Sequence, residues 1–297
     1  MLHALLNPGL VGIVALFLSI VWMLRDEKDR TRPLLVLALV INLFYGWLLT
    51  VVMGKEDGLV PWKFDSVLAV LDQALGVPWT LVANGLNGDM RIPLRVVYEL
   101  MVPMMVAWFL VAREGRASGS LVLAYVSEMV TGPIFYAIVP ACGPAYAFGR
   151  QWLSPGMVQP AVTRLSGMPN AFPSLHIATA FVFVLFAPRR RWRIVSVLFL
   201  FATALATLST GEHYVIDLVA GLAFGCQAAA VGKRHLGAAL AFGALALGWS
   251  LAVRFGFAVL IAHTALLRGL ALFTLSSAAL AVMTGWREKQ TAPALRI

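Results

Sequence analysis

The chain has 297 residues, of which 60% are hydrophobic and only 12% charged, with a formal net charge of +9. Soluble domains average about 25% charged residues; half that density cannot cover a globular surface in water, so a soluble globular protein is excluded. The positive charge does not mark a nucleic-acid binder, because the basic residues fall in short loops between apolar runs, where they set membrane orientation.

Nine apolar runs of 16 to 28 residues are predicted to cross the membrane: 9–24, 33–53, 93–112, 119–141, 172–188, 194–210, 213–231, 236–253 and 256–283. Spans of about 17–25 apolar residues suit a bilayer core, so the fold class is an all-α integral membrane protein, a multi-span helical bundle. Arg25 to Pro33 separates the first two runs, and Arg189–Arg193 and Lys233–His235 close later pairs. With these loops in the cytoplasm, fifteen Lys and Arg lie inside and seven outside, and Arg268 falls within the last run. That bias predicts an outside N-terminus and an inside C-terminus. The junction near Arg254 is very short. Residues 1–53 are read as N-terminal spans, 54–231 as a core, and 232–297 as C-terminal spans with a short cytoplasmic tail.

The first run is expected to remain a span, since no Lys or Arg precedes it and no small-x-small cleavage site follows. Cys142 falls in a loop and Cys226 about 13 positions into a helix, roughly 20 Å from its start. A disulfide needs Cα atoms within about 7 Å, so none is expected. Between 62 and 79, Phe64, Val67, Leu68, Leu71 and Leu75 share a helical face, with Asp65 and Asp72 off it and Trp62 and Trp79 at the ends. This reads either as a helix lying on the outer leaflet or as a strut packed over the bundle.

Ionisable residues inside spans are costly and functional by default. Here they are Glu99, Glu128, His176, His213, Asp217, His263 and Arg268. His263 is expected to be satisfied by a neighbouring carbonyl, Arg268 and Glu128 to pair at mid-membrane, and Glu99 to meet Arg95, Arg150 or Arg164. Two histidines stand in a distinctive setting. Asn170-Ala171-Phe172-Pro173-Ser174-Leu175-His176 opens the fifth run, with Pro173 suited to the first helical position. Ser174 and His176 then lie beside free backbone N–H groups at the positive end of the helix dipole, a ready anion site. Ser209-Thr210-Gly211-Glu212-His213-Tyr214-Val215-Ile216-Asp217 opens the seventh run, and Ser209 to Glu212 fits the spacing of a capping box. His213 and Asp217, four apart, share a helical face. A carboxylate there can fix the imidazole tautomer and leave its other nitrogen nucleophilic. The predicted topology brings both histidines to the same outer surface.

Pro173-Ser174-x-His176 followed by His213-x-x-x-Asp217 resembles the two later signature motifs of the type-2 phosphatidic acid phosphatase superfamily. Within it, Phe-Pro-Ser-Leu-His, His-Tyr-Val-Ile-Asp-Leu and Cys142-Gly143-Pro144-Ala145-Tyr146 look most like the inositol phosphorylceramide synthase branch, over roughly residues 60–231. The resemblance implies a six-helix catalytic core in which His213 attacks phosphorus, Asp217 orients it, and His176 protonates the leaving oxygen and later activates the incoming hydroxyl. Ser174 and nearby amides would hold the phosphoryl oxygens, and no metal or other cofactor is implied. Two departures matter. The phosphatases usually carry Arg six residues before the nucleophile, where this chain has Thr207, and their Lys…Arg-Pro motif has no clear match. Arg150 and Arg164, in the loop before Pro173, are the expected phosphate-binding replacements.

A site short of Arg suits a diester, with one negative charge, better than a monoester with nearly two. The expected function is therefore transfer of a phosphorylated head group from a phospholipid donor to a lipid alcohol acceptor, at the extracytoplasmic face of a cell membrane. The alternatives are a lipid phosphate phosphatase, with water as acceptor, and a membrane transporter. A transporter predicts polar residues spread through several spans at mid-depth, whereas the constellation here clusters at one surface.

Overall fold

The computed structural model describes residues 60–86, 88–114 and 118–284. The predicted spans 9–24 and 33–53, and the end of the tail from residue 285, lie outside them. The chain divides after Leu59 into two units; the description below concerns the second.

Two short strands, β1 (Trp62–Lys63) and β2 (Thr163–Arg164), pair antiparallel, with Trp62 opposite Arg164. The helices are α1 (Asp65–Leu75), α2 (Trp79–Gly85), α3 (Arg91–Glu99), α4 (Met101–Glu114), α5 (Ser118–Ile138), the short α6 (Pro144–Ala147), α7 (Leu175–Leu185), α8 (Arg190–Ser209), α9 (Val215–Gly232), α10 (Leu236–Ala262) and α11 (Thr264–Thr284). Five of them, α5 and α8 to α11, are long and apolar enough to cross a membrane, and counting each bent pair, α1–α2 and α3–α4, as one span gives up to seven. The protein is an all-α integral membrane protein.

Helix α9 is the hub. In its most apolar stretch 72% of the residues are buried, against 28–39% in the other long helices, and it packs on α5, α7, α10 and α11. Small residues permit this. A Cβ on Gly221 would stand 2.6 Å from the Ser174 carbonyl oxygen, and one on Gly225 2.7 Å from that of Ala178. The two glycines, one turn apart, let the backbone of α7 settle directly on α9, so the core packing sets the position of the residues that open α7.

Several expectations are corrected. The run 172–188 yields only the helix Leu175–Leu185, about 16 Å at 1.5 Å per residue and too short for a core of about 30 Å. Its residues from Ile177 onward are buried, so its continuous apolarity belongs to a core helix. The run 93–112 is broken between α3 and α4 with a bend of 52°; Pro103 has no N–H to return to the carbonyl four residues earlier. The last pair of spans does not divide at Arg254. Helix α10 runs through it to Ala262, and the break is at His263, which is exposed there. Arg254 tolerates its place because its guanidinium donates to the carbonyl of Ile138 at the end of α5. Arg268 and Glu128 do not pair: Arg268 Nε donates to the Ala74 carbonyl at 3.0 Å, and Glu128 accepts from Thr179 Oγ1 at 2.9 Å. In α1 the two aspartates are not turned outward; Asp65 and Asp72 are both fully buried, so this helix packs within the bundle as a strut does.

Candidate active site

Helices α7 and α9 start at the same end of the molecule, and the three residues expected to carry chemistry meet there. His176 and His213 have ring centroids 5.9 Å apart, nearly edge to face at 65°. Their helices run away from the site toward the basic loops, where Lys233 Nζ donates to the Leu185 carbonyl at 2.8 Å.

His213 does not open a helix as expected. Ser209 ends α8, with its hydroxyl donating to the Ala206 carbonyl, and the chain turns through Gly211 at φ +73°. A side chain at Gly211 would run into Ala145 and Trp152. Helix α9 begins only at Val215. Its capping carboxylate is therefore Asp217 rather than Glu212: Asp217 Oδ2 accepts the Tyr214 N–H at 2.8 Å. The same Oδ2 lies 3.5 Å from His213 Nδ1. A closer acceptor, the Ala171 carbonyl, is 2.8 Å from that nitrogen. A carbonyl oxygen can only accept, so Nδ1 carries the proton and Nε2 keeps its lone pair. The imidazole is thus oriented by the backbone of the α7 loop, with the carboxylate beside it. Burial lowers the His213 pKa to about 4, against the opposing pulls of Glu212 and the Ala171 carbonyl. Its neighbour Glu212 is pushed above the usual carboxylate range, also by burial.

At the other helix Pro173 stands two places earlier than expected, before the N-cap rather than at the first helical position. Ser174 is the N-cap, its Oγ accepting the Ile177 N–H at 3.3 Å, and it is fully buried. Its own N–H donates to the Asp217 carbonyl at 3.1 Å, which ties the two motifs together through the main chain. The Ser174 oxygen thus caps the helix, and its O–H is left to donate, as the expected phosphate-binding role requires. The Ala178 N–H is also taken, by the Ser174 carbonyl, so the Leu175 and His176 amides are the ones left for an anion at this helix end.

Arg150 sits in the turn Gly149–Gln151 and Arg164 in β2, both exposed; among the described residues, no hydrogen bond or ion pair joins either to a histidine. A cation not expected at the site comes closer. Arg95 on α3 meets Glu99 at 2.8 Å and Glu212 at 3.4 Å, and its guanidinium lies 5.3 Å from the centre of the Tyr98 ring. Tyr98 in turn stacks on His176 at 4.2 Å. A cavity of ≈ 340 Å³, lined by Arg91, Ile92, Arg95, Val96 and Thr210, opens beside them. Thr207 holds no charge for phosphate: it is buried, with its hydroxyl donating to the Ala204 carbonyl. Sequence reading also missed Asp65, whose carboxylate accepts from Cys142, Gly143 and Tyr214, and Asp72, which accepts from Val215 and Ile216. The available signal was a pair of acids seven residues apart on an otherwise apolar helix.

The assembly can hold an anion against two helix-end amides, present a neutral imidazole nitrogen to it, and move a proton through a second imidazole. A family model described as the PAP2 superfamily matches residues 66–231. No curated protein and no solved structure matches the chain. The matched segment exceeds half of the chain and holds both histidines and Asp217, so the chain belongs to the PAP2 superfamily, whose members are phosphatases or phosphotransferases.

Proposed function

We propose that the protein transfers a phosphorylated head group from a phospholipid to a lipid alcohol, as inositol phosphorylceramide synthases do, through a phosphohistidine on His213. The observation that carries this reading is the pair of imidazoles 5.9 Å apart, one with its Nδ1 tied to a carbonyl and the other at an open helix end. In the first step His213 Nε2 attacks phosphorus, the bond to the diacylglycerol oxygen breaks, and His176 supplies that oxygen's proton. In the second, His176 takes the proton of the acceptor hydroxyl, whose oxygen attacks phosphorus and releases His213. The phosphoryl oxygens rest on the Leu175 and His176 amides and on Arg95. Asp217 favours the imidazolium-like charge that develops on His213.

Charge around the nucleophile favours a diester. Arg95 is shared between Glu99 and Glu212, so its charge is offset by those acids. Arg91, which lines the same cavity, adds one more cation, and so small a surplus suits a diester better than a group carrying about two negative charges. The site is assigned to the extracytoplasmic face, because the arginine-rich loops lie at the opposite helix ends. Ile92 and Val96, exposed at 76% and 53%, flank the arginines and give lipid chains an apolar approach.

The test uses the full chain in mixed micelles with phosphorus-labelled phosphatidylinositol and ceramide or diacylglycerol. Label is expected in a new lipid, and Arg95→Ala is expected to lower kcat/KM by about 100-fold. Label released only as water-soluble phosphate transfers the protein to the lipid phosphatases. The same assay carries a pH prediction. A diester does not titrate near neutrality, so the acid limb of kcat/KM reports the free enzyme. Burial holds His213 to about 4 and, with the neighbouring His213, His176 to about 3, so both imidazoles of the free enzyme are neutral near pH 7. His176 takes up its proton as the anionic donor binds, and the acid limb set by His213 is expected near pH 4; a limb at the ordinary imidazole value of about 6.5 contradicts a buried, neutral nucleophile.

A further inference from the structure

We infer that Asp65 and Asp72 are positioning residues, two carboxylates on one face of α1 that hold the segment following His213, and the Gly143 loop packed against Glu212 before it, in the geometry the attack of His213 requires. The inference rests on His213 being the nucleophile. Both acids are 0% exposed, and both reach across the sequence to the loops that build the site. Asp65 Oδ1 accepts the Gly143 N–H at 2.8 Å and the Tyr214 hydroxyl at 3.0 Å, and its Oδ2 accepts the Cys142 N–H at 3.1 Å. Asp72 Oδ2 accepts the Val215 N–H at 2.7 Å and its Oδ1 the Ile216 N–H at 2.8 Å.

These bonds complete a scaffold of three loops. The 140–147 loop is pinned to α1 by Asp65 and by the Phe64 N–H on the Pro140 carbonyl. It carries the 170–174 loop through the Ala171 N–H on the Ala141 carbonyl, and the 211–214 loop through the Ala145 N–H on the Gly211 carbonyl. Gly143 lies so close to Glu212 that a Cβ there would clash with the Glu212 carbonyl. Asp65 thus fixes the residue against which the His213 loop is pressed, and Asp65 bonds the next residue, Tyr214, directly. Asp72 holds the two residues after that. His213 itself touches neither acid, yet the carbonyl that orients it and the peptide that carries it both hang from this frame.

Burying two carboxylates is costly unless their oxygens are filled, and a structural cap alone needs only one. Two acids aimed at the flanks of one histidine are what an alignment role requires, since a shift of about 1 Å at a reacting group can cost about 100-fold in rate.

The experiment compares wild type with Asp72→Asn, Asp65→Asn and Tyr214→Phe, as full chains in mixed micelles. An Asn oxygen accepts, but its amide opposes the second N–H, so each Asn variant loses alignment while keeping volume. Expected are falls in kcat of about 100-fold for the Asn variants and about 10-fold for Tyr214→Phe, with KM for the lipid donor within about twofold of wild type. A second readout needs no substrate: ¹⁵N-histidine NMR is expected to show His213 as one Nδ1–H tautomer in wild type and as a mixture in the variants. Unchanged kcat per folded molecule together with an unchanged His213 signal overturns the inference. So does a loss confined to the yield of folded protein. If Asp65→Asn does not fold, Tyr214→Phe, which removes the single hydroxyl bonded to Asp65, decides by the same two readouts; if Asp72→Asn does not fold, Asp72→Glu, which keeps both oxygens and displaces them by one methylene, decides in its place. Failure of the nucleophile reading shows separately, as a fully active His213→Ala protein.

Discussion

Replacing His213 by Ala is expected to lower head-group transfer by at least about 1,000-fold, the scale on which loss of a nucleophile acts. The side chain is buried, with one ring nitrogen committed to the Ala171 carbonyl, and no other described residue offers a neutral imidazole nitrogen at this position. Truncation removes the bond-forming atom and leaves a small void between loops held by other contacts, so the protein is expected to stay folded. The measurement is label transfer from donor to acceptor lipid, with the protein also tested for bound label. A phosphohistidine is acid-labile and base-stable, and it should appear on wild type incubated with donor alone and be missing from His213→Ala. An alanine variant that retains full turnover ends the covalent mechanism.

Replacing His176 by Ala comes next, with an expected loss of about 100- to 10,000-fold, the range of general acid–base catalysis. Here the signature differs. The leaving oxygen is a poor leaving group without a proton, so formation of the phosphohistidine slows; the acceptor hydroxyl also loses its base, so its consumption slows. A donor with an acidic phenol as leaving group needs no proton. With that donor, His176→Ala is expected to recover the first step and accumulate labelled protein, because the second step remains slow. Recovery of both steps removes His176 from the acceptor half-reaction. Failure to recover either assigns the residue to binding, through its stack with Tyr98.

Much of this site can be read in the residues themselves. Pro173, Ser174 and His176, and then His213 and Asp217, are local signals: helix starts with their caps and acids, written within a few positions of one another. The long helices α5, α8 and α9 are equally local, since their apolar runs report length, whereas the run 172–188 gives only a short core helix and 93–112 is broken. What escaped depends on distant partners. Asp65 and Asp72 fall outside the apolar face of α1 by periodicity, which reads as solvent-facing. Their true surroundings are N–H groups and a tyrosine hydroxyl about 70 to 150 residues away along the chain, which no helical wheel contains. Arg254 reads as a loop residue because a bare cation is costly in a span; the Ile138 carbonyl that receives it is invisible in sequence. Arg95 meets Glu212, the residue before His213, a contact between positions 117 residues apart that no local pattern shows.

The two helices that meet at the site start with opposite electrical characters. The first amides of α9 are already occupied, Val215 and Ile216 by Asp72 and Tyr214 by Asp217, and those acids cancel the positive end of its dipole. Helix α7 is capped only by a neutral hydroxyl, and its positive end stays uncancelled. A phosphate arriving between them therefore feels a lopsided field that draws it to α7, across the gap from His213. In the proposed mechanism His213 attacks from the side that holds no grip on the anion, so forming the new bond does not require the phosphate to let go of its cradle. A chain with both helix ends open would offer two competing resting places, and one of them would bury the phosphate behind the nitrogen meant to attack it.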